Sequence, residues 1–518
     1  MNDNELRSVL TICRKHSLPR NGKNILCWHQ GGFFALQKID VLLSFMLELH
    51  GYTPLMVVCD GILQACTVRG DEDLPPHRWK ERCPLCIQKS LQLLKNFDIP
   101  HVFLSSLLQD VDFTGLEKIM QSERYFPKAF SHEADLDIAL SDSLLRFYKG
   151  KGPECFEENI IKKFVFSTYC NYFAAKNALK RYNPHRAIIV HCAYSDHKPP
   201  YDIFTNHHVP VVNYSANYLP ETLLFNTISG NQRRAKRSIS DQQWKEIAAE
   251  SLCEKEKRLF TNFWEDRYKK QKHIDSLAKP IASKQDLADA LSLDCFKKTF
   301  LFPMHINWDI SSEVSQGIFK NYDELVLTTV REMCAIDNAQ WIIKIHPSEE
   351  RYNTASSTGN LIRREFPRLP DHVRLVPGNT PFSPLAFFEF CDGIVGTQAT
   401  SIVEMAALGK LCLMACKSFY YHRGFTLDPE SVSEYKELLH QLPCLPPPGK
   451  EQTLLAQHYL ITYFYRMSIP VPNYRHSVMD FCSPSGFIDY IPGKNSVVKI
   501  LMDSIENCKT ALLPLSEC

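Results

Sequence analysis

Three stretches of the chain place side chains that can hold or move charge at the end of an apolar run. IKIHPSEE brings His346, Pro347 and Glu349 to such an end. A histidine there can donate to a phosphate or sugar oxygen, and the proline stiffens the turn that aims it. The alternative is an ordinary strand end with a turn proline and a solvated helix start. GIVGTQATSIVEMAALG passes from an apolar run through Thr397, Gln398, Thr400 and Ser401 into an apolar helix. Amides and hydroxyls at a helix start receive phosphate. Glu404 follows Ser401 by three residues, so a capping box is the competing account of that pair, though not of the polar run before it. YYHRGFTLD sets Arg423, a fork of donors, beside Gly424, where a backbone can be approached closely.

A second group of residues could take a proton from a hydroxyl within hydrogen-bond reach. Asp60 follows LMVVC, His29 follows NILCW, and HCAYSDH supplies His191, Asp196 and His197. Each sits at an expected strand end, and each is equally a candidate for stabilising its own turn. Cys59, Cys66, Cys83 and Cys86 include one C-x-x-C pair, CPLC, which could belong to a tetrahedral metal knot or a redox pair. Cys59 falls in an apolar strand, so we take these four as buried or free thiols and expect no metal site.

The elements that must position these residues follow from hydrophobic patterning. NILCWHQ predicts a strand, GG a turn, FFALQKIDVLLSFMLELHG a long helix and TPLMVVCDG a second strand. This is a βαβ unit, whose buried parallel strands need apolar residues on both faces. IPHVFLS, HRAIIVHCAY and VPVVNYS add strands, giving one open Rossmann-like domain over residues 1–225. Residues 226–298 change to charged helical spacing around the basic cluster RRAKR, which is either a solvated face or a phosphate or membrane-surface contact. TFLFPMHINWD, AQWIIKIHP, VRLVPG, CDGIVGT and KLCLMAC predict a second such domain over 299–443. Residues 444–518 open with CLPPPGK and continue in a largely apolar helix, expected to pack back across the domain junction. The expected fold is therefore α/β: two open parallel-sheet domains facing a cleft, with helical connecting and C-terminal segments. Ligands of such sheets lie beyond the carboxyl ends of the strands.

Composition narrows the classes. With 59 basic and 58 acidic residues the net charge is +1, which argues against a nucleic-acid protein working through bulk electrostatics. No run of 18 apolar residues predicts a spanning helix, and MNDNELRSVLTICRKH lacks the pattern of a signal peptide. Nineteen cysteines, an odd count lying mostly in apolar segments such as LCLMAC, favour a reducing compartment. Cytoplasm is the expectation. The aromatic segment 451–470 offers a second reading as a peripheral attachment at the inner face of the membrane.

CDGILQAC with RCPLC, HCAYSDH with VPVVNY, FPMHINWD, IKIHPSE, GTQATSIVEMAALGK and YYHRGFTLDPESVSEY stand in this order over roughly residues 24–440. Together they resemble the bacterial capsule and surface-polysaccharide biosynthesis proteins, a group of GT-B-like glycosyltransferases. The resemblance implies a C-terminal domain that binds a nucleotide sugar and an N-terminal domain that presents a carbohydrate or glycolipid acceptor. It implies that His346 and Pro347 match a histidine–proline motif that contacts nucleotide phosphate in transferases using CMP-activated acidic sugars. Ser401 and Glu404 match the donor-binding strand–helix turn, where Glu404 could accept from ribose hydroxyls. Leu411 and Cys412 depart from the small residue and proline of many relatives. The activity implied is transfer from a CMP-sugar or UDP-sugar, with no further cofactor required and Asp60, His29 and His191 as candidates for the catalytic base. Two other functions fit the same plan: a nucleotide-sugar epimerase or hydrolase, and a glycan- or nucleotide-binding assembly subunit without turnover.

Overall fold

A parallel strand covered on both faces must be apolar, as Ile25–Trp28, Met56–Val58 and Trp341–Ile343 are. The computed structural model describes residues 3–29, 34–67, 69, 74–111, 113, 133–190, 192–230, 239–273, 283–309, 317–474 and 484–517. The basic cluster RRAKR and the Gly31–Gly32 turn lie outside the described residues. The chain divides into two compact units.

The first unit takes Met1–Phe147, Cys155–Ser238 and Arg466–Cys518. Its strands are β1 (Asn24–His29), β2 (Thr53–Val58), β3 (His101–Phe103), β4 (Arg186–Ile188), β5 (Val211–Ala216) and β6 (Thr222–Ile228), completed by the short strand Ile469–Pro470. From β3 the sheet runs β2, β1, β4, β5, β6 and then Ile469–Pro470. β1 pairs in parallel with β2 (Asn24 opposite Thr53) and with β4 (Ile25 opposite Arg186). The far edge is antiparallel, β6 on β5 and Ile469–Pro470 on β6. The sequence reading missed this edge and began a helical region at 226, inside β6. The pattern of TLLFNTI was submerged in a helical-looking context, and a two-residue strand has no periodicity to detect. The helix Phe34–Leu49 covers the sheet. Its Val41, Leu42, Phe45 and Met46 join Ile25, Cys27, Val212 and Phe487 in one core. Each such buried side chain contributes about 1.5–3 kcal/mol of transfer energy.

The second unit takes Tyr148–Glu154 and Ile239–Tyr465. Its sheet is wholly parallel: β7 (Thr299–Pro303), β8 (Gln340–Lys344), β9 (Val373–Val376), β10 (Gly393–Gly396) and β11 (Leu411–Met414), in the order β11-β10-β7-β8-β9. Phe300 on β7 stacks on Trp341 of β8 with ring centroids 5.1 Å apart. The helix Tyr322–Ala335 leads into β8. Asn321 caps it by accepting from the Glu324 amide at 2.8 Å, worth about 1 kcal/mol. The connecting helices Asp241–Ala248, Glu254–Trp264 and Lys284–Leu291 belong to this unit, as does Lys450–Ile461. Two of them run on into π-helical turns, Glu265–Lys269 and Thr462–Arg466, and Phe263, two residues before the first, packs on Phe464 of the second at 4.8 Å. Such turns arise where a helix accommodates one extra residue.

Each sheet has a place where the chain order reverses. In the first it lies between β1 and β4, in the second between β7 and β10. Connections leave a reversal point in opposite directions and open a crevice at the carboxyl ends of the strands.

Candidate functional site

In the second unit, β10, β7 and β8 are neighbours, so their carboxyl ends form one continuous edge. His305 stands two residues past β7 and His346 two residues past β8. Their rings stack with centroids 5.6 Å apart at 30°. His305 Nδ1 accepts from the Ile306 amide at 3.0 Å, and His346 Nδ1 accepts from the Ser348 amide at 3.1 Å. An imidazole whose Nδ1 accepts carries its proton on Nε2 when neutral. Both rings therefore offer Nε2–H as a donor. Burial, then the positive charges of His305 and Lys344, push His346 down to about 3, so it is a neutral donor at physiological pH. Tyr322 fixes the His305 backbone from below: its hydroxyl accepts from the His305 amide at 2.6 Å and donates to the His305 carbonyl at 3.0 Å.

Gly378, just past β9, closes this edge on its far side. A Cβ there would lie 2.8 Å from the His346 carbonyl oxygen and 3.0 Å from Pro347 Cα. The turn His346–Pro347 can approach β9 this closely only because that position has no side chain.

On the other side of β7, β10 ends at Gly396 and the helix Thr400–Ala407 begins. Thr397 is buried, while Gln398, Thr400 and Ser401 are partly exposed. The loop is braced by the Tyr420 hydroxyl, 3.2 Å from the Thr397 carbonyl and 3.0 Å from that of Ala399. Ala399 occupies the N-cap and has no side-chain acceptor to offer the helix start. The capping box weighed for Ser401 and Glu404 is thus not formed. Glu404 turns inward instead, accepting from Tyr268 Oη and from Arg267 Nε at 3.3 Å, with 1% of its surface exposed. Arg267 also reaches His273 Nδ1 at 3.3 Å and lies 5.0 Å from the Phe464 ring centre. Burial and then the Glu404 charge push the Tyr268 phenol well up.

Two other sequence candidates hold partners inside the protein. Glu349 accepts from Ser357 Oγ at 2.8 Å and from the Thr358 amide at 3.0 Å, anchoring the helix Thr358–Glu365. Arg423 donates to Asp241 at 2.8 Å and to the Ile239 carbonyl at 2.6 Å. The edge formed by His305, His346, Pro347, Gly378 and the 397–401 loop is what the fold brings together. His305 and Gly378 went unassigned in the sequence, although FPMHINWD contains the first and the VRLVPG run ends on the second.

In the first unit, His29 closes β1 at the reversal point of its sheet and is 3% exposed. Its Nδ1 lies 2.5 Å from Asp40 Oδ2, and Tyr214 Oη donates to Asp40 Oδ1 at 2.7 Å. Asp60 accepts from the Ser105 amide at 3.3 Å and from its hydroxyl, the pattern of a turn-stabilising carboxylate. His191 lies outside the described residues. Asp196 accepts from the Thr67 amide at 2.7 Å and hydroxyl at 2.6 Å.

Burial pushes the Cys59 thiol up to about 12 and Cys66 well above its ordinary value. Cys83 accepts from the Arg69 guanidinium. Among the described residues no three His, Cys, Asp or Glu side chains gather in a way that could hold a metal ion. Nor is any described helix long and apolar enough to cross a membrane.

No protein-family model matches the chain, and no curated protein matches it. Among solved structures it is similar to the Thermosulfurimonas dismutans KpsC beta Kdo 2,4 transferase, at 10% identity and a TM-score of 0.34 over 54% of this chain and 80% of that one. It is also similar to S. aureus MnaA in a co-structure with UDP (10% identity, TM-score 0.27, 93% and 96% covered). A third likeness is to UDP-GlcNAc 2-epimerase from Neisseria meningitidis bound to UDP-GlcNAc (11%, 0.26, 93% and 100%). Superpositions this loose leave the two sheets themselves as the ground for the fold: two Rossmann-like α/β units joined by helices.

Proposed function

We propose that this chain is a glycosyltransferase that moves a sugar from a nucleotide-sugar donor to a carbohydrate or glycolipid acceptor in surface-polysaccharide synthesis. The observation that carries the reading is the edge of the second sheet, where the stacked rings of His305 and His346, each accepting a backbone amide at Nδ1, carry Nε2–H donors next to a helix start with no side-chain cap. Donors of that kind suit the oxygens of a phosphate, and their value grows as negative charge develops on it when the sugar departs. His346 and His305 hold the leaving phosphate, and the amides and hydroxyls of Thr397, Gln398, Thr400 and Ser401 bind nucleotide or ribose. CMP-linked acidic sugars are the first donors to test and UDP-sugars the second. The acceptor is assigned to the first unit.

Calorimetry of the full chain with CMP, UDP and their sugar conjugates tests this reading, and absence of binding by all of them removes it. His346→Ala lowers donor-dependent turnover by about 30- to 1000-fold, the usual cost of one contact to developing charge, with the melting temperature nearly unchanged. Wild-type turnover in the folded variant takes His346 out of the mechanism.

A further inference from the structure

The motif CPLC takes no part in the proposed transfer, and it lies in the first unit among thiols with unlike surroundings. Cys59 follows β2, and Cys83 opens the helix Cys83–Phe97. The turn at Gly61 brings these two together. Cys59 Sγ accepts from the Gly61 amide at 3.4 Å, and a Cβ on Gly61 would lie 3.5 Å from Cys83 Cβ and 3.8 Å from its sulfur. Burial, with the nearby Cys83 adding to it, pushes the Cys59 thiol up to about 12. Burial and then Asp196 push Cys66 well up, and burial and then Cys59 raise Cys170 to about 12. Those three thiols keep their protons and make poor nucleophiles. Cys83 is partly exposed and is met by a cation. Arg69 Nη2 donates to its sulfur and Nη1 to the Leu63 carbonyl at 2.5 Å, while only 3% of Arg69 is exposed. Its Nε has no acceptor, and no Asp or Glu among the described residues pairs with it. A guanidinium keeps its charge in proteins, and a buried charge calls for an opposite one. Negative charge that arises on the Cys83 sulfur as its proton leaves is therefore met by a donor already in place.

We propose that Cys83 is an oxidation-sensitive thiol of the first unit, and that it closes a reversible disulfide with Cys59. The bond ties the carboxyl end of β2 to the helix Cys83–Phe97. The oxidant is a peroxide. In the first step the Cys83 sulfur bonds to one peroxide oxygen, the O–O bond breaks, and the other oxygen leaves as water with the thiol proton. Cys83 is then a sulfenic acid. In the second step the Cys59 sulfur bonds to the Cys83 sulfur, the S–O bond breaks, and the oxygen leaves as water with the Cys59 proton. Two thiols and one peroxide thus give one disulfide and two waters. A dithiol reverses the change by taking the disulfide bond itself. This chemistry stands apart from sugar transfer and does not depend on it.

The test uses the full chain, reduced and freed of reductant, with hydrogen peroxide as the oxidant and iodoacetamide as the thiol probe. Peptide mass spectrometry locates each label and each disulfide. Cys83 is expected to take iodoacetamide about 100-fold faster than Cys59, or more, at neutral pH. Peroxide should join the peptides that carry Cys59 and Cys83, and dithiothreitol should return both thiols. Cys59→Ser stops the reaction at the sulfenic acid of Cys83, which dimedone traps. Cys83→Ser leaves Cys59 unoxidised. Arg69→Met slows the loss of the Cys83 thiol to peroxide by about tenfold. Arg69→Lys keeps the charge but has one head for two acceptors, so its rate falls between the two. It covers the case in which the methionine variant does not fold. A Cys83 that reacts no faster than Cys59 overturns the proposal, as does a disulfide from Cys83 to Cys86 in place of Cys59. Wild-type rates in folded Arg69 variants overturn it too. So does zinc bound one to one and lost in Cys83→Ser, because the sulfurs are then metal ligands.

Discussion

His346 shows how one side chain can be named from sequence while its chemistry is not. The strand, the histidine and the proline are all legible in IIKIHPSEE. The tautomer is not, because it depends on an amide two residues later and on a second ring arriving from β7. The depressed value of His346 has a consequence for stability. The unfolded chain binds a proton at this residue below about pH 6.5 and the folded chain does not until about pH 3, so folding loses stability as pH falls through that window. The slope from this residue approaches 1.4 kcal/mol per pH unit. His346→Gln should flatten the fall, read as the difference between wild-type and variant urea midpoints from pH 7 down to pH 4. An unchanged difference across that range would show that the ring titrates normally. Glu404 illustrates the reverse case. Its spacing from Ser401 suggested a cap, but the partner that claims it lies 137 residues away in sequence. Such a partner cannot be read from local spacing. Arg267→Ala leaves the Glu404 carboxylate buried without its cation and should cost about 3–5 kcal/mol in a thermal or urea melt, more than an exposed pair ever contributes.

At the scale of elements, apolar runs bounded by glycine, proline or polar residues located the five strands of the second sheet and the five parallel strands of the first. Apolar runs carry that signal even where the strand itself is only three or four residues long, as at β3, β4 and β9. The antiparallel edge of the first sheet does not, since its last strand is two residues long and is defined only by β6 beside it. The contact between the His346 turn and β9 is likewise invisible in sequence, although a lone glycine after VRLVP marked the place. Gly378→Ala must push the His346 carbonyl by several tenths of an ångström and should cost about 1–3 kcal/mol of stability. The same shift moves Pro347 and so should weaken nucleotide binding, measured by calorimetry. An alanine variant that binds and melts as wild type would mean that the turn is not held against β9. Trp341→Ala opens the packed centre of the same sheet beside Phe300 and should cost about 3–5 kcal/mol, without the selective loss of turnover expected at His346.

At the scale of the whole molecule, two compact units, each with its own buried core, predict two unfolding steps in calorimetry. A nucleotide at a hundred times its dissociation constant stabilises the unit that binds it by about 2.7 kcal/mol and should raise that step alone by about 5–10 °C. A shift of the other step would move the donor site to the first unit. The division of the chain also sets an order of assembly. The first unit is made of three separated segments, and its edge strand Ile469–Pro470 together with the helix Ser496–Glu506 comes from the last of them. The second unit is spelled out in full by Tyr465. During synthesis the second unit can therefore close while the first still exposes the outer edge of β6. Unpaired strand edges invite pairing with other chains. Truncations within residues 466–518 should therefore leave β6 without the strand at its outer edge while β1, paired with β2 and β4, keeps both neighbours.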